Sequence, residues 1–191
     1  MVQVPTQVPT QPLTLAVFLE LPDTKPASEY IDGEMIPKPM PQGEHSTLQG
    51  DLVSVVNGAL KSSKVGRAYP ELRCTFGDRS MIPDVSVFRW ERIPRREDGR
   101  VANAFLLHPD WTIEILSPQQ RQTQVVRNIL HCIDHGTEMG WLLDAEEACI
   151  FVYGGDRSVR VFDTVDAVLP VPAFAEVVQL TLGEVFGWLK N

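Results

Sequence analysis

Cysteine is scarce in this chain: three occur in 191 residues, at Cys74, Cys132 and Cys149, and no two are spaced CxxC. An odd number at wide spacing argues against a disulfide framework and against a structural zinc motif, and a reducing cytoplasm is the expected compartment. Cys149 opens the apolar run that ends at Tyr153 and reads as a small core residue. Long apolar stretches are also missing. None approaches the roughly 18–20 residues needed to span a bilayer, so no membrane partner is expected. Positive charge is in deficit, with 17 Lys and Arg against 25 Asp and Glu and a formal net charge of −8. A protein that holds nucleic acid through its overall field is thereby disfavoured, although a local basic patch stays open. The first twelve residues, MVQVPTQVPTQP, have no basic segment followed by an apolar one. They are not expected to be a secretory signal but a flexible lead-in.

What is present is an ordinary globular mixture, 43% hydrophobic and 22% charged. One domain takes roughly 100–200 residues, so residues 13–191 are expected to form a single one. Thr14 can cap a helix over Leu15–Leu21, stopped by Pro22. Glu29 to Ile36 reads as a strand pair turning at Asp32-Gly33. Residues 37–41, Pro-Lys-Pro-Met-Pro, can be neither helix nor central strand and read as a rigid connector. Leu48, Leu52, Val55, Val56 and Leu60 recur at helical spacing over 43–61. Strands follow at Arg67–Phe76 and Met81–Phe88, with a turn at 77–80. Residues 91–104 read as an exposed loop, and Trp111–Leu116 as a strand. Ser117 and Pro118 then carry the cap and first-position signals of a helix reaching His135, with Gly136 just past its end. Met139–Leu143 is apolar, Cys149–Tyr153 and Val159–Phe162 form a hairpin, and a short helix over 182–189 closes the chain. The order predicts an α/β (α+β) fold, a central mixed sheet flanked by helices.

Two acids stand out. Asp84 precedes Val-Ser-Val-Phe, and Glu114 sits in Trp-Thr-Ile-Glu-Ile-Leu, 30 residues later. That distance suits neighbouring strands joined by a long loop. A strand alternates its faces, so Glu114 shares a side with Thr112 and Leu116. A carboxylate among apolar residues is costly unless paired, hydrogen-bonded or bound to a metal. Two acids at adjacent strand ends suit Mg²⁺, which takes oxygen ligands and commonly uses one or two carboxylates with water and phosphate. The alternative is that each pairs with an arginine such as Arg73 or Arg79.

Several segments in order resemble the Uma2-type (DUF820) proteins, a branch of the PD-(D/E)XK nuclease superfamily abundant in cyanobacteria. They are LTLAVFLELP, EYIDGEMIPKPMPQGEH, IPDVSVF, WTIEILSP, the helix ending at Gly136, and GWLLDAEEACIFVY. Together they cover nearly all of the chain after residue 12. The resemblance implies a restriction-endonuclease-like core, with Asp84 as the PD aspartate and Glu114 as the acid of the (D/E)XK motif. It also implies Mg²⁺-dependent endonuclease activity. Folds of this type often pair, so a homodimer is expected.

One departure matters. Leu116, not Lys, lies two residues after Glu114, and the family instead carries its lysine on the following helix. Here that position is Asn128, the aromatic expected one turn later is Cys132, and the acid usual after the Ser-Pro turn is Gln120. The chemistry calls for a cation to place the attacking water and offset charge on the phosphate. Asn128 can orient water but brings no charge. Arg127 sits about 100° round the helix, and Arg121 nearly two turns before on roughly the same face. Arginine also stays protonated. Either the site is impaired, leaving a nucleic-acid-binding or oligomeric scaffold, or another residue rescues it.

Glu44 could add a third, helix-borne carboxylate, although a first-turn acid also simply favours the helix N-terminus. His131 and His135 have the i, i+4 spacing of a zinc pair, without an evident third ligand. Arg89, Arg92, Arg95, Arg96 and Arg100 form the most basic stretch. Glu91, Glu97 and Asp98 reduce it to a net of +2, so a solvated loop is favoured over phosphate contact.

Overall fold

The structure is a computed structural model describing residues 13–118 and 120–190. The lead-in expected over 1–12 lies outside the described residues. The first helix, α1 (Leu15–Glu20), is capped by the Thr14 hydroxyl, which accepts from the Val17 N–H at 3.3 Å. Strands β1 (Ser28–Ile31) and β2 (Glu34–Pro37) form the expected antiparallel hairpin. Asp32 and Gly33 both take positive φ, 51° and 90°, the conformation that suits a two-residue turn to the twist of its strands. Helix α2 (Gly43–Leu60) buries Leu48, Leu52, Val56 and Leu60 along one stripe. Each of these contributes about 1.5–3 kcal/mol by leaving water.

The sequence reading joined two pairs of strands that the chain separates. Arg67–Phe76 is β3 (Gly66–Pro70) and β4 (Cys74–Phe76), interrupted at Glu71 with φ 45°. Met81–Phe88 is β5 (Arg79–Met81) and β6 (Val85–Arg89), interrupted by Ile82-Pro83-Asp84. Arg79 and Ser80 therefore belong to a strand, and the turn is Gly77-Asp78 alone. The reason is topological. A small sheet has the order β2-β1-β5-β4, and the chain enters and leaves it between β3 and β6, which are neighbours in a larger sheet.

That larger sheet has the order β10-β9-β8-β7-β6-β3. Its further strands are β7 (Trp111–Ile115), β8 (Met139–Asp144), β9 (Cys149–Gly154) and β10 (Val159–Phe162). Every pairing is antiparallel except β7 with β8, which are joined by helix α3 (Gln122–Asp134). The mixed sheet flanked by helices is thus as expected. Trp111, Ile113, Ile115, Trp141 and Leu143 pack with the α2 stripe. Leu142 faces the other way, against Val125, Ile129 and Ile133 of α3. The last helix, α4 (Leu182–Gly187), carries a capping box between Thr181 and Glu184.

α3 begins later than Ser117-Pro118 suggested. Arg121 occupies the N-cap, and the Ser117 N–H instead donates to Gln120 Oε1 in a turn. What seats α3 on the sheet is Gly140: a Cβ there would lie 2.3 Å from Ile129 Cγ2. Gly140→Ala is expected to destabilise the fold by about 1–3 kcal/mol, since the branched Ile129 cannot swing aside. A urea midpoint equal to that of the parent protein would contradict this packing.

Candidate active site

The β6–β7 ladder pairs Val87 with Trp111, Ser86 with Thr112 and Val85 with Ile113. One further step sets Asp84 opposite Glu114. Both are buried, 3% and 6% exposed, and they meet: the Asp84 N–H donates to Glu114 Oε2 at 3.4 Å. Alternation puts Glu114 on the α3 side of β7, away from Ile113 and Ile115.

A lysine that the sequence reading passed over completes the group. Lys38 Nζ lies 2.7 Å from Asp84 Oδ1 and donates to the Ile82 carbonyl at 2.5 Å. It comes from the Pro-Lys-Pro connector. Flanking prolines restrict the backbone there, and the Lys38 N–H is pinned to the Ala27 carbonyl at 2.8 Å. Glu29 pairs with Ile36 across the β1–β2 hairpin, so Glu29, Ile36 and Lys38 share one face. Glu29 is buried and accepts the Ile82 N–H at 2.7 Å. That pairing was the available signal: a buried-strand acid and a proline-locked lysine on one face of a hairpin.

Both carboxylate oxygens of Asp84 have partners. Its Oδ2 accepts the Ile115 N–H at 2.8 Å and lies 3.1 Å from His45 Nε2, while Gln49 donates to its carbonyl at 2.8 Å. Burial alone would raise its pKa, but Lys38 and His45 outweigh that and hold it below the usual carboxylate range. Glu114 is the reverse. Burial first, then the Asp84 charge, push its pKa well above the ordinary value. Glu29 is also raised, by burial, against the pull of Lys38. For Lys38, burial opposes the charged form, and Asp84, Glu114 and Glu29 overcome it and raise its pKa. Three buried carboxylates thus share one ammonium and one imidazole. The bond to Asp84 leaves His45 Nδ1 buried without a partner among the described residues.

The remaining candidates are dispersed. Glu44 is exposed, and its neighbour His45 is the α2 residue that reaches Asp84. Asn128 is 7% exposed, on the inner face of α3, and accepts a 3.5 Å bond from Gln124. It lines a cleft of about 270 Å³ together with Glu29, Lys38, Arg121 and Gln124. Arg127 is exposed and does not line that cleft. The arginine loop is engaged internally. Arg89 pairs with Glu138 and Asp110, Arg92 with Asp110 at 2.5 Å, and Arg96 and Arg100 with Asp98, while Arg95 lies over the Trp90 ring.

His131 stacks on Phe76 with ring centroids at 5.1 Å, while His135 at 5.4 Å and His108 at 6.0 Å meet that ring edge-on. Among the described residues no group of three or more His, Cys, Asp or Glu is arranged to hold a metal. Burial first pushes the His108 and His131 pKa values below the ordinary 6.5. The nearby charges oppose one another: Arg79, Arg92 and His135 lower them, Asp32 and Asp110 raise them. With depressed folded-state values, the unfolded chain binds more protons near pH 6, so stability is expected to fall from about pH 7.5 to about pH 5.5. His131→Phe should flatten that slope in urea titrations, and an identical slope would contradict the assignment.

The Uma2 family model, described as "Putative restriction endonuclease", matches residues 15–183. This chain belongs to the Uma2 family. A solved Uma2-like structure, titled as a "putative nuclease belonging to DUF820" from Anabaena variabilis, is 57% identical. The match covers 93% of this chain and 99% of that one, with a TM-score of 0.92. No curated protein matches this Uma2 chain. No helix among its described residues is long and apolar enough to cross a membrane.

Proposed function

We propose that this protein is a Mg²⁺-dependent endonuclease that hydrolyses phosphodiester bonds in DNA. The observation that carries the reading is the meeting of Asp84 and Glu114 at adjacent strand ends, with a cation already beside them. The residues fit the metal. Their donors are the hard oxygens of two carboxylates, as Mg²⁺ prefers when it keeps several waters. Among the described residues Glu114 has one hydrogen bond, the 3.4 Å one from the Asp84 N–H, which leaves carboxylate lone pairs open to an ion. Asp84 and Glu114 would hold the ion, which when bound offsets phosphoryl charge and lowers the pKa of a coordinated water.

The chain's own residues do the positioning. Ile115 N–H, His45 and Lys38 fix the orientation of the Asp84 carboxylate, and Gln49 fixes its backbone. DNA contact is better supported at the cleft beside Lys38, where Arg121 is exposed, than at the arginine loop, whose charges are paired. A fold that has lost cleavage is the rival reading, suggested by Asn128. Lys38 beside Asp84 favours the active reading. The test is nicking of supercoiled plasmid by the purified chain at millimolar Mg²⁺, with Mg²⁺ binding followed by calorimetry. Mg²⁺-dependent nicking is the expected result. A folded protein that neither binds Mg²⁺ nor nicks would overturn the proposal.

A further inference from the structure

We infer that Lys38 is the catalytic cation of this site, delivered by the end of β2 to the work that a lysine at position 128 of α3 would otherwise do. The inference rests on the nuclease reading above and assigns a residue within it. Lys38 is the lysine in contact with Asp84, at 2.7 Å. An ammonium carries three N–H donors. Two are accounted for, by Asp84 Oδ1 and the Ile82 carbonyl. The third meets no acceptor among the described residues, and Lys38 lines the 270 Å³ cleft that Asn128 and Arg121 also line. A lysine needed only to neutralise Asp84 has no use for that opening. Its backbone is held on both sides, by Pro37 and Pro39 and by the bond to Ala27. With Nζ also bonded to Asp84 Oδ1 and the Ile82 carbonyl, the head group is placed before any substrate arrives, as electrostatic stabilisation requires.

In the reaction, the water oxygen bonds to phosphorus and one bridging P–O bond breaks. One water proton passes to solvent, and the departing oxygen takes up a proton in exchange. Lys38 neither gives nor takes a proton; it binds a non-bridging phosphate oxygen. Asn128 faces the same cleft, so a lysine placed there reaches the same phosphate.

The experiment compares the parent protein, Lys38→Met, Lys38→Gln and the double variant Lys38→Met with Asn128→Lys. Plasmid nicking gives kcat and KM, and calorimetry gives Mg²⁺ affinity without substrate. Lys38→Met and Lys38→Gln are expected to lose about 10²–10³-fold in kcat, the scale for removing one preorganised charge donor. Mg²⁺ affinity should be kept or tightened, because a competing cation has gone. The double variant should recover at least about tenfold of the loss, by the same electrostatic scale. Parent-level kcat in folded Lys38→Met or Lys38→Gln overturns the inference alone. So does a folded, Mg²⁺-binding double variant that shows no recovery, and this arm decides the matter if the single variants do not fold. A parent protein that does not nick overturns the nuclease reading, and this inference with it.

Discussion

Glu114→Gln is expected to raise the melting temperature and abolish Mg²⁺-dependent cleavage in the same variant. Glu114 is buried, has one long hydrogen bond among the described residues and faces Asp84. Its folded-state pKa lies above the ordinary 4.5, through burial first and the Asp84 charge second. A carboxyl with a raised folded-state pKa costs nothing below its unfolded value, and costs progressively more as pH rises above it. Glutamine keeps an oxygen for the Asp84 N–H and has no charge to desolvate. Replacing buried ionic groups with neutral ones of similar size is often stabilising, by about 1–4 kcal/mol. In a chain of this length each kcal/mol corresponds to roughly 2–4 °C. The gain should vanish below about pH 4.5 and grow toward neutrality. Differential scanning calorimetry across that range reads it. A lowered melting temperature at pH 7, or cleavage at the parent rate, would contradict the role given to Glu114.

Asp84→Asn should behave oppositely in stability and alike in activity. Asp84 is the counter-ion of Lys38, whose side chain is 12% exposed. Neutralising the acid strands the Lys38 ammonium, and breaking a buried pair from one side costs about 3–5 kcal/mol. The melting temperature should drop by ten degrees or so on the same conversion. Cleavage should fall below detection, because a metal carboxylate and the orienting partner of Lys38 are lost together. The two acids, adjacent in space, are thus separable: one substitution stabilises and the other destabilises. Equal and same-sign stability changes would contradict this division of charge between Asp84 and Glu114.

How much of this was legible in the sequence follows from which interactions are local. The meeting of Asp84 and Glu114 was legible because it extends one antiparallel ladder by one step, and ladder alternation is a sequence property. Asn128 was singled out by the resemblance alone, and the structure buries it on α3 with Val125, Ile129 and Cys132. Lys38 and Glu29 were not, although their shared face could be read from the hairpin. The hairpin pairing says nothing of what that face meets, and it is the small sheet's docking beside β6 that aims them at Asp84. The same docking explains the false joins at Glu71 and at Ile82-Pro83-Asp84. Apolar continuity there reflects burial in two sheets in succession, not one strand. Charge points to Glu44 as the possible third carboxylate, yet the first turn of α2 leaves that carboxylate in solvent and buries the imidazole of its neighbour His45. The Ser117-Pro118 signal misled for a local reason: the Ser117 amide is taken by Gln120, which closes a turn where a helix would have begun.

The most direct test of the account is an anomalous difference map from crystals of the parent protein soaked in Mn²⁺. A peak is expected between the carboxylates of Asp84 and Glu114, within about 2.0–2.6 Å of an oxygen from each. A protein that cleaves DNA with Mn²⁺, yet whose map has no peak at these two residues or places it elsewhere, would contradict it.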